Sequence, residues 1–522
     1  MTSLSNSTLW QRMHDYYDQL GPEVWEDEVV PLQITSNTYL ANTYAKLIMA
    51  QMHDYIGKYG KPSAQNPFHI IEIGAGHGRL SFYLLKNLQL AFKLYGWPTD
   101  WLKYVMTDIS LKSLSSWKQH HALKPYFESG CLDLAVFNAL EDTELQLVLS
   151  KKTIKSKSLS KPLFVICNYI FDTLLQDAFQ VIDGKLHEVE LIIKNEEKNK
   201  NKDLKNYFKK ASYQFKRHPI QTDYYAKHPI LNKILKNYED EFDNASFLIP
   251  IGAIKCIQNL HHFTKGPMML LVSDKGYTET DLFDENEDPD ISFHGSVSMM
   301  VNFDALSQYT ELNKGTSFMM GNKGADFQVA SFVYHADYAI PNTTYAFANS
   351  LSTYSPQDLF DICYIEDDLN PGFSSLESII NLLNLADWDP SIFHDYYPML
   401  LEKLESQEVS LDLEYSILNG LERVWQFFFK LEKSQDIPFA IGSIMYNMDL
   451  PEKAIEYYKQ SIIHYGKDKE TYYNMALAYQ QLEDNKKAQQ MIENALVLHP
   501  NYREAKKLLK EVKESSKARK NV

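Results

Sequence analysis

The stretch FHIIEIGAGHGRLSFYLLKNL, residues 68–88, decides the reading of the chain. FHIIEI is a short apolar run of strand length, and RLSFYLLKNL places Leu80, Leu84 and Leu88 on one face of a helix. Between them stand Gly74, Gly76 and Gly78. Glycine removes the Cβ atoms that would hold a ligand off the backbone, and the helix start offers N–H groups without partners. A glycine triplet alone is a weak signal; strand before, helix after and Glu72 leading in make it a cofactor turn.

Working outward, WLKYVMTD (101–108), LDLAVFNAL (132–140) and PLFVICNYI (162–170) read as further strands, with GPMMLLVSDKGY (266–277) and DFQVASFVY (326–334) following. Strands alternating with helices imply a parallel sheet covered on both faces, an α/β Rossmann-like fold. Residues 1–65 read as helical, with Tyr39, Tyr44, Ile48, Met52 and Ile56 at near-helical spacing. The α/β domain is expected over 66–350, with an insertion at about 194–250 that opens on the lysine- and asparagine-rich KNEEKNKNKDLKNYFKK (194–210). That run reads as solvated chain, and the carboxylate run DLFDENEDPD (281–290) as an exposed loop without calcium-loop spacing.

Beyond residue 355 only helical patterns remain, forming an all-α domain over 355–522. A 34-residue offset pairs Ala454 with Ala488, Tyr458 with Ile492 and Ser461 with Ala495. ETYYNMALAYQQLEDNKKAQQMIENALVLHP (470–500) carries Tyr472, Met475, Ala476, Tyr479, Ala488, Ile492, Ala495 and Pro500 at tetratricopeptide spacing. Repeats are expected at about 435–468 and 469–502, the first keeping Gly442 and Ala454, as a docking surface for a protein partner.

At 522 residues the chain needs more than one core, and 44% hydrophobic with 23% charged residues is a globular balance. A formal net charge of -16 repels phosphate backbones, so nucleic acid is not expected as partner. Cys131, Cys167, Cys256 and Cys363 form no CxxC pair, so neither a disulfide framework nor a metal site is expected. No stretch reads as a signal peptide or a membrane span. A soluble, reducing, cytoplasmic setting is the expectation.

Glycine spacing chooses the ligand. ExGxGxG differs from the dinucleotide fingerprint GxGxxG and suits S-adenosyl-L-methionine, whose amino-acid end carries an ammonium and no pyrophosphate. Asp108 ends the second strand, where a carboxylate can accept both ribose hydroxyls. Asn138 is placed to meet an adenine edge or is an ordinary strand-end residue. Asn168 to Asp172 follow the fourth strand and would face the cofactor, with Asp172 capping the next helix as the competing reading.

EIGAGHGRL (72–80), NYIFDTLLQDAF (168–179) with VIDGKLHEVEL (181–191), LLVSDKGY (270–277) and HGSVSMMVNFDAL (294–306) together resemble the MidA-like methyltransferases, relatives of the mitochondrial complex I assembly arginine methyltransferase. Order and rough spacing agree over about residues 40–345. The resemblance implies an enzyme that methylates a protein. It places Glu72, Gly74, Gly76 and Gly78 around the methionine part, Asp108 at the ribose, and Asn168 with Asp172 at the reaction end, and Ala75, Ile109, Asn138 and Ala139 are expected among the cofactor-binding residues. Asp274, Gly276 and Tyr277 form the turn after the fifth strand. The chain departs from the family at Tyr169 (usually Glu), Leu175 (Pro), Lys275 (Tyr) and Asn302 (Asp), which puts arginine as acceptor in doubt, because guanidinium needs carboxylates to orient it. The repeats also lie outside the family pattern. Asp172 is the first catalytic candidate and Tyr169, whose ring could face a sulfonium, the second; His77 and His294 are lesser ones. A degenerate fold serving as a scaffold, or a nicotinamide-dependent oxidoreductase, are the alternatives.

Overall fold

The computed structural model describes residues 2–21, 23–26, 32–194, 212–221, 223–283, 287–293, 297–320, 327–352, 354–364, 375–406 and 408–520. Of the lysine-rich run 194–210 only Lys194 falls among them, and His294 falls outside. The chain divides into two units, Met1–Asp358 and Leu359–Val522.

In the first unit, helices α1 (Thr8–Leu20) and α2 (Thr38–Tyr59) precede strand β1 (Phe68–Ile73), helix α3 (Arg79–Leu94) and strands β2 (Leu102–Asp108), β3 (Leu132–Val136) and β4 (Leu163–Asn168). Strands β5 (Asp177–Ile182), β6 (Lys185–Lys194), β7 (Ser212–Pro219) and β8 (Ala245–Ile249) follow, then helix α4 (Ile251–His261), strand β9 (Met268–Tyr277), helix α5 (Phe303–Leu312) and strands β10 (Thr316–Met319) and β11 (Phe327–Tyr334).

The central sheet runs β10-β11-β9-β4-β1-β2-β3. From β9 to β3 neighbouring strands are parallel. Both faces are covered, and every residue of β4 is buried, which explains its unbroken apolar run. Leu80, Leu84 and Leu88 pack inward from α3 as their spacing requires.

The sheet is mixed, not purely parallel as expected. β11 lies antiparallel to β9 and to β10. The chain between Met319 and Phe327 is too short for a crossover, so β10 and β11 pair as antiparallel neighbours. β11 is buried along its whole length, so its composition is that of a parallel core strand and its direction left no mark in the sequence.

Between β4 and β9 the chain builds a second, antiparallel sheet from β5, β6, β7 and β8, joined at one edge by Thr2–Ser3. Asp183 and Gly184, both at positive φ (50° and 70°), make the tight turn between β5 and β6, the pair that a two-residue hairpin prefers. Asn37 caps α2 by accepting from the Leu40 N–H at 2.7 Å, and α2 packs along α3.

The second unit contains helices α6 (Leu376–Leu385), α7 (Pro390–Ser406), α8 (Leu411–Gln426), α9 (Ile437–Asn447), α10 (Pro451–Tyr465), α11 (Lys469–Gln481), α12 (Asn485–Leu498) and α13 (Arg503–Lys520). Ser410, Asp436, Asp468 and Asp484 cap α8, α9, α11 and α12 through their side-chain oxygens. Ala476, Ala488, Ile492, Ala505, Leu508 and Val512 form one buried cluster, in which small side chains let three helices approach. Among the described residues no helix is long and apolar enough to cross a membrane.

Gly420 gives this unit a sharp test. An alanine in a helix interior ordinarily stabilises by about 1 kcal/mol over glycine. Here an added Cβ would sit 2.0 Å from the Trp388 ring, an overlap that costs about 1–3 kcal/mol. Gly420→Ala is therefore expected to lower the melting temperature of the second unit in calorimetry, and a rise would contradict this packing.

Candidate functional site

β1 leaves the sheet at Ile73 and the chain turns through Gly74, Gly76 and Gly78, all at positive φ (63°, 55° and 86°). Side chains rarely adopt this conformation, so the turn needs its glycines. A Cβ at Gly74 would lie 2.2 Å from Ile170 Cδ1, and one at Gly78 2.8 Å from the Met106 methyl. The turn is fixed from outside as well. Ala75 N–H donates to the Thr107 carbonyl at 2.9 Å, and Trp117 Nε1–H to the Gly76 carbonyl at 2.8 Å.

Beside this turn lies a cavity of about 510 Å³, within the range of small-ligand pockets. Gly74, Gly76, Asp108, Ile109, Asn138, Ala139 and Tyr169 line it. They arrive from the carboxyl ends of four neighbouring parallel strands, where open α/β sheets hold their ligands. Asn138 is fixed at the rim: its Oδ1 accepts from Leu140 N–H at 3.0 Å, and its own N–H donates to Asp142 Oδ2 at 2.7 Å.

Asp108 accepts from Ser110 N–H at 2.9 Å. Burial pushes its carboxyl up to about 6, against the pull of backbone N–H donors including that of Ser110.

Glu72, Ala75, Gly78, Asn168 and Asp172 do not line the cavity. Glu72 lies beneath the turn, where its Oε2 accepts from Tyr104 O–H at 2.7 Å and from Ser81 O–H. Burial pushes its carboxyl up to about 7. Its place is that of a brace between β1, β2 and α3. Asn168 donates from Nδ2 to the Thr35 carbonyl at 2.7 Å and accepts from Ser273 O–H, tying β4 to β9 and to the chain before α2.

The turn after β4 is organised by Asp274. Its Oδ2 accepts from three consecutive backbone N–H groups, those of Ile170, Phe171 and Asp172, at 3.1, 2.7 and 3.2 Å. Tyr169 N–H donates to the Ser273 carbonyl at 2.7 Å. These bonds hold Tyr169 at φ 57°, which costs a side chain of this size roughly 1–3 kcal/mol. The Tyr169 ring stacks 6.0 Å from Phe327, with Lys275 Nζ 5.9 Å from its centre.

Asp172 is buried behind this turn, and its Oδ1 has no hydrogen-bond partner among the described residues. Burial raises both Asp172 and Asp274 above the usual carboxylate range, Lys275 opposing it at Asp172. Asp172 caps no long helix: only the single turn Phe171–Thr173 follows.

Other residues singled out in the sequence serve structure. Gly276 lets β9 approach Val301 closely, since a Cβ there would lie 2.3 Å from its carbonyl oxygen. Asn302 caps α5, accepting from Ala305 N–H at 2.9 Å, and does not line the cavity. His77 is buried, with Nδ1 accepting from Arg79 N–H at 3.0 Å, and burial lowers its pKa. Among the described residues no three His, Cys, Asp or Glu side chains gather into a metal site.

One wall escaped the sequence reading. Trp10, Met13, His14 and Tyr17 of α1, with Lys255 of α4, also line the cavity. The available signal was the spacing of Trp10, His14, Tyr17 and Gly21, a second face of α1 beside the one formed by Leu9, Met13 and Tyr16.

The chain belongs to a family described as "Putative S-adenosyl-L-methionine-dependent methyltransferase", whose model matches residues 47–318. S-adenosyl-L-methionine is the cofactor. No curated protein matches the chain in sequence. Two solved structures from Burkholderia thailandensis resemble it distantly. An "uncharacterized ACR" superfamily protein is 10% identical, with 65% of this chain and 96% of that one covered at a TM-score of 0.39. A superfamily member described as a "likely methyl transferase", bound to S-adenosyl-homocysteine, is 11% identical, with 58% and 79% covered at a TM-score of 0.37.

The cavity suits that cofactor: a turn without side chains, a carboxylate at the end of β2 and an aromatic ring at the end of β4. Asp108 at the ribose, as the sequence leads one to expect, would give binding a pH signature. An ionised carboxylate accepts two hydroxyls, whereas a protonated one gives up an acceptor site, so affinity would be held above about pH 6 and weaken below it. Calorimetric titration of S-adenosyl-homocysteine is expected to show Kd rising as pH falls from 8 to about 5, and Asp108→Asn should flatten that dependence.

Proposed function

We propose that the chain transfers the methyl group of S-adenosyl-L-methionine to a protein side chain, on a Rossmann-like MidA-type domain, and uses its helical unit to dock the protein that carries the acceptor. The observation that carries this reading is the glycine turn beside Asp108, both lining one cavity of cofactor size.

When bound, the cofactor supplies an electrophilic methyl carbon on a sulfonium. The chain's task is then to hold an acceptor in line with it, and positioning of this kind supplies most of the rate. In this reading Gly74 and Gly76 cradle the methionine part, Asp108 and Ile109 the ribose, Asn138 and Ala139 the base, with Glu72, Ala75, Gly78 and Asn168 bracing them from behind. Tyr169 presents its ring to the cationic centre. Asp172, buried behind the turn and outside the cavity lining, supports the Tyr169 turn in this reading and is the candidate to relay the acceptor's proton, since burial raises its carboxyl to about 7, where it can take up and return a proton near neutral pH.

Tyr169 and Asn302 replace residues that are Glu and Asp in the MidA-like pattern. That exchange argues against a guanidinium acceptor, which needs carboxylates to orient it.

The docking role rests on the 34-residue period. Gly442 and Ala476, Ala454 and Ala488, Tyr458 and Ile492, and Ser461 and Ala495 are all buried, in helices of matching order. Tetratricopeptide repeats at about 435–468 and 469–502 account for this pattern, and stacked repeats bind extended protein segments. The net charge of -16 favours a basic protein partner over nucleic acid, in a cytoplasmic setting.

Incubating a lysate with the protein and methyl-labelled cofactor is expected to label a small set of proteins. Gly76→Arg, which fills the turn, should abolish the labelling. Cofactor binding without any labelling would favour a scaffold, and labelling by Gly76→Arg would overturn the site.

A further inference from the structure

Helix α1 presents two faces. Leu9, Met13 and Tyr16 are buried in the first unit, and along the adjoining face Trp10, His14, Tyr17 and, just past the helix end, Gly21 border the cavity. The spacing of 4, 3 and 4 residues keeps these positions on one line.

Both ends of this segment are pinned. At one end Thr2 and Ser3 pair with Leu191 and Glu190 of β6, and Ser5 N–H donates to Asp177 Oδ1 at 3.3 Å. Asp177 is itself buried and holds Tyr225 O–H on its other oxygen at 2.8 Å. At the far end Ser110 O–H donates to the Asp18 carbonyl at 3.2 Å, while Ser110 N–H donates to Asp108 Oδ1 at 2.9 Å. Gly21 sits at φ 56° with an ideal Cβ only 2.9 Å from Ser110 Oγ, so the helix end fits tightly against the loop after β2.

Ser110 thus bonds at once to the end of α1 and to the carboxylate expected to hold the ribose. The matched family region, residues 47–318, does not include α1.

We propose that the Trp10–His14–Tyr17 face is a second binding surface for the adenosyl sulfonium nucleoside, supplied from outside the family-matched region and aligned with Asp108 through Ser110. This rests on the cofactor assignment above. The aromatic rings give a flat apolar surface for a base and a π-face for a sulfonium. The second sheet then has a function: Asp177 and β6 hold the start of α1 in place beside the cavity.

Two measurements on the full chain test this. In calorimetry with S-adenosyl-homocysteine, Tyr17→Ala is expected to weaken binding by about tenfold or more while Tyr17→Phe stays within about twofold of wild type, with ligand-free melting temperatures unchanged. In hydrogen exchange on the wild type, amides of residues 8–20 should gain protection when the same ligand is added. The proposal is overturned if Tyr17→Ala binds as wild type does, or if those amides are indifferent to ligand while residues 74–78 respond. Should Tyr17→Ala fail to fold, the wild-type exchange experiment decides. Wild type that does not bind the ligand at all would instead refute the cofactor assignment.

Discussion

The turn from β1 into α3 is held open by backbone geometry. Three glycines adopt a left-handed conformation in five residues, and the loop they form is clamped by Thr107 and by the indole of Trp117. Because Gly74 and Gly78 press against Ile170, Met106 and Trp117, the turn cannot accept side chains without displacing its surroundings. Glu72 below it is the counterpart: a buried carboxyl whose bonds to Tyr104 and Ser81 join two strands and a helix under the loop. Everything placed at the cavity depends on this rigid floor.

A different logic governs the neighbouring turn after β4. Tyr169 occupies a backbone conformation that costs energy, and the Asp274 carboxylate offsets that cost by gathering three N–H groups that would otherwise be unsatisfied. A rigid turn on one strand and a strained turn on its neighbour meet where Ile170 packs against Gly74, and Gly74 and Tyr169 both line the cavity. The antiparallel sheet between β4 and β9 is more than an insertion into this frame, since it pairs with Thr2–Ser3 and anchors the start of α1.

How much of this could be read in the sequence follows from which forces leave local traces. The β1-turn-α3 unit was legible because strand burial, left-handed glycines and helix amphipathicity each impose a residue type at a fixed position. Asp108 was legible as a cavity residue because it ends a strand at the carboxyl edge of the parallel sheet, where open α/β sheets form their crevice. The reversal of β11 was not, because a strand buried on both faces has the same composition in either direction. The role of α1 was hidden for a related reason: periodicity shows that Leu9, Met13 and Tyr16 are buried, but not what lies beside the neighbouring face. Asp274 looked like one residue of a turn motif, and only the fold brings it under the three amides that follow Tyr169. Asn168 and Glu72, expected at the cofactor, turn inward, since a polar side chain at a strand end can brace a neighbour as readily as meet a ligand. In the helical unit Gly442, Ala454, Ala476 and Ala488, which the 34-residue offset singles out, are all buried in helices.

The most direct test of the account is a crystal structure of the full chain soaked with S-adenosyl-homocysteine. The account predicts density in the cavity, with the amino-acid end over Gly74 and Gly76, both ribose hydroxyls on Asp108 and the sulfur toward Tyr169. An empty cavity at saturating ligand, or a nucleoside bound away from Asp108, would contradict it.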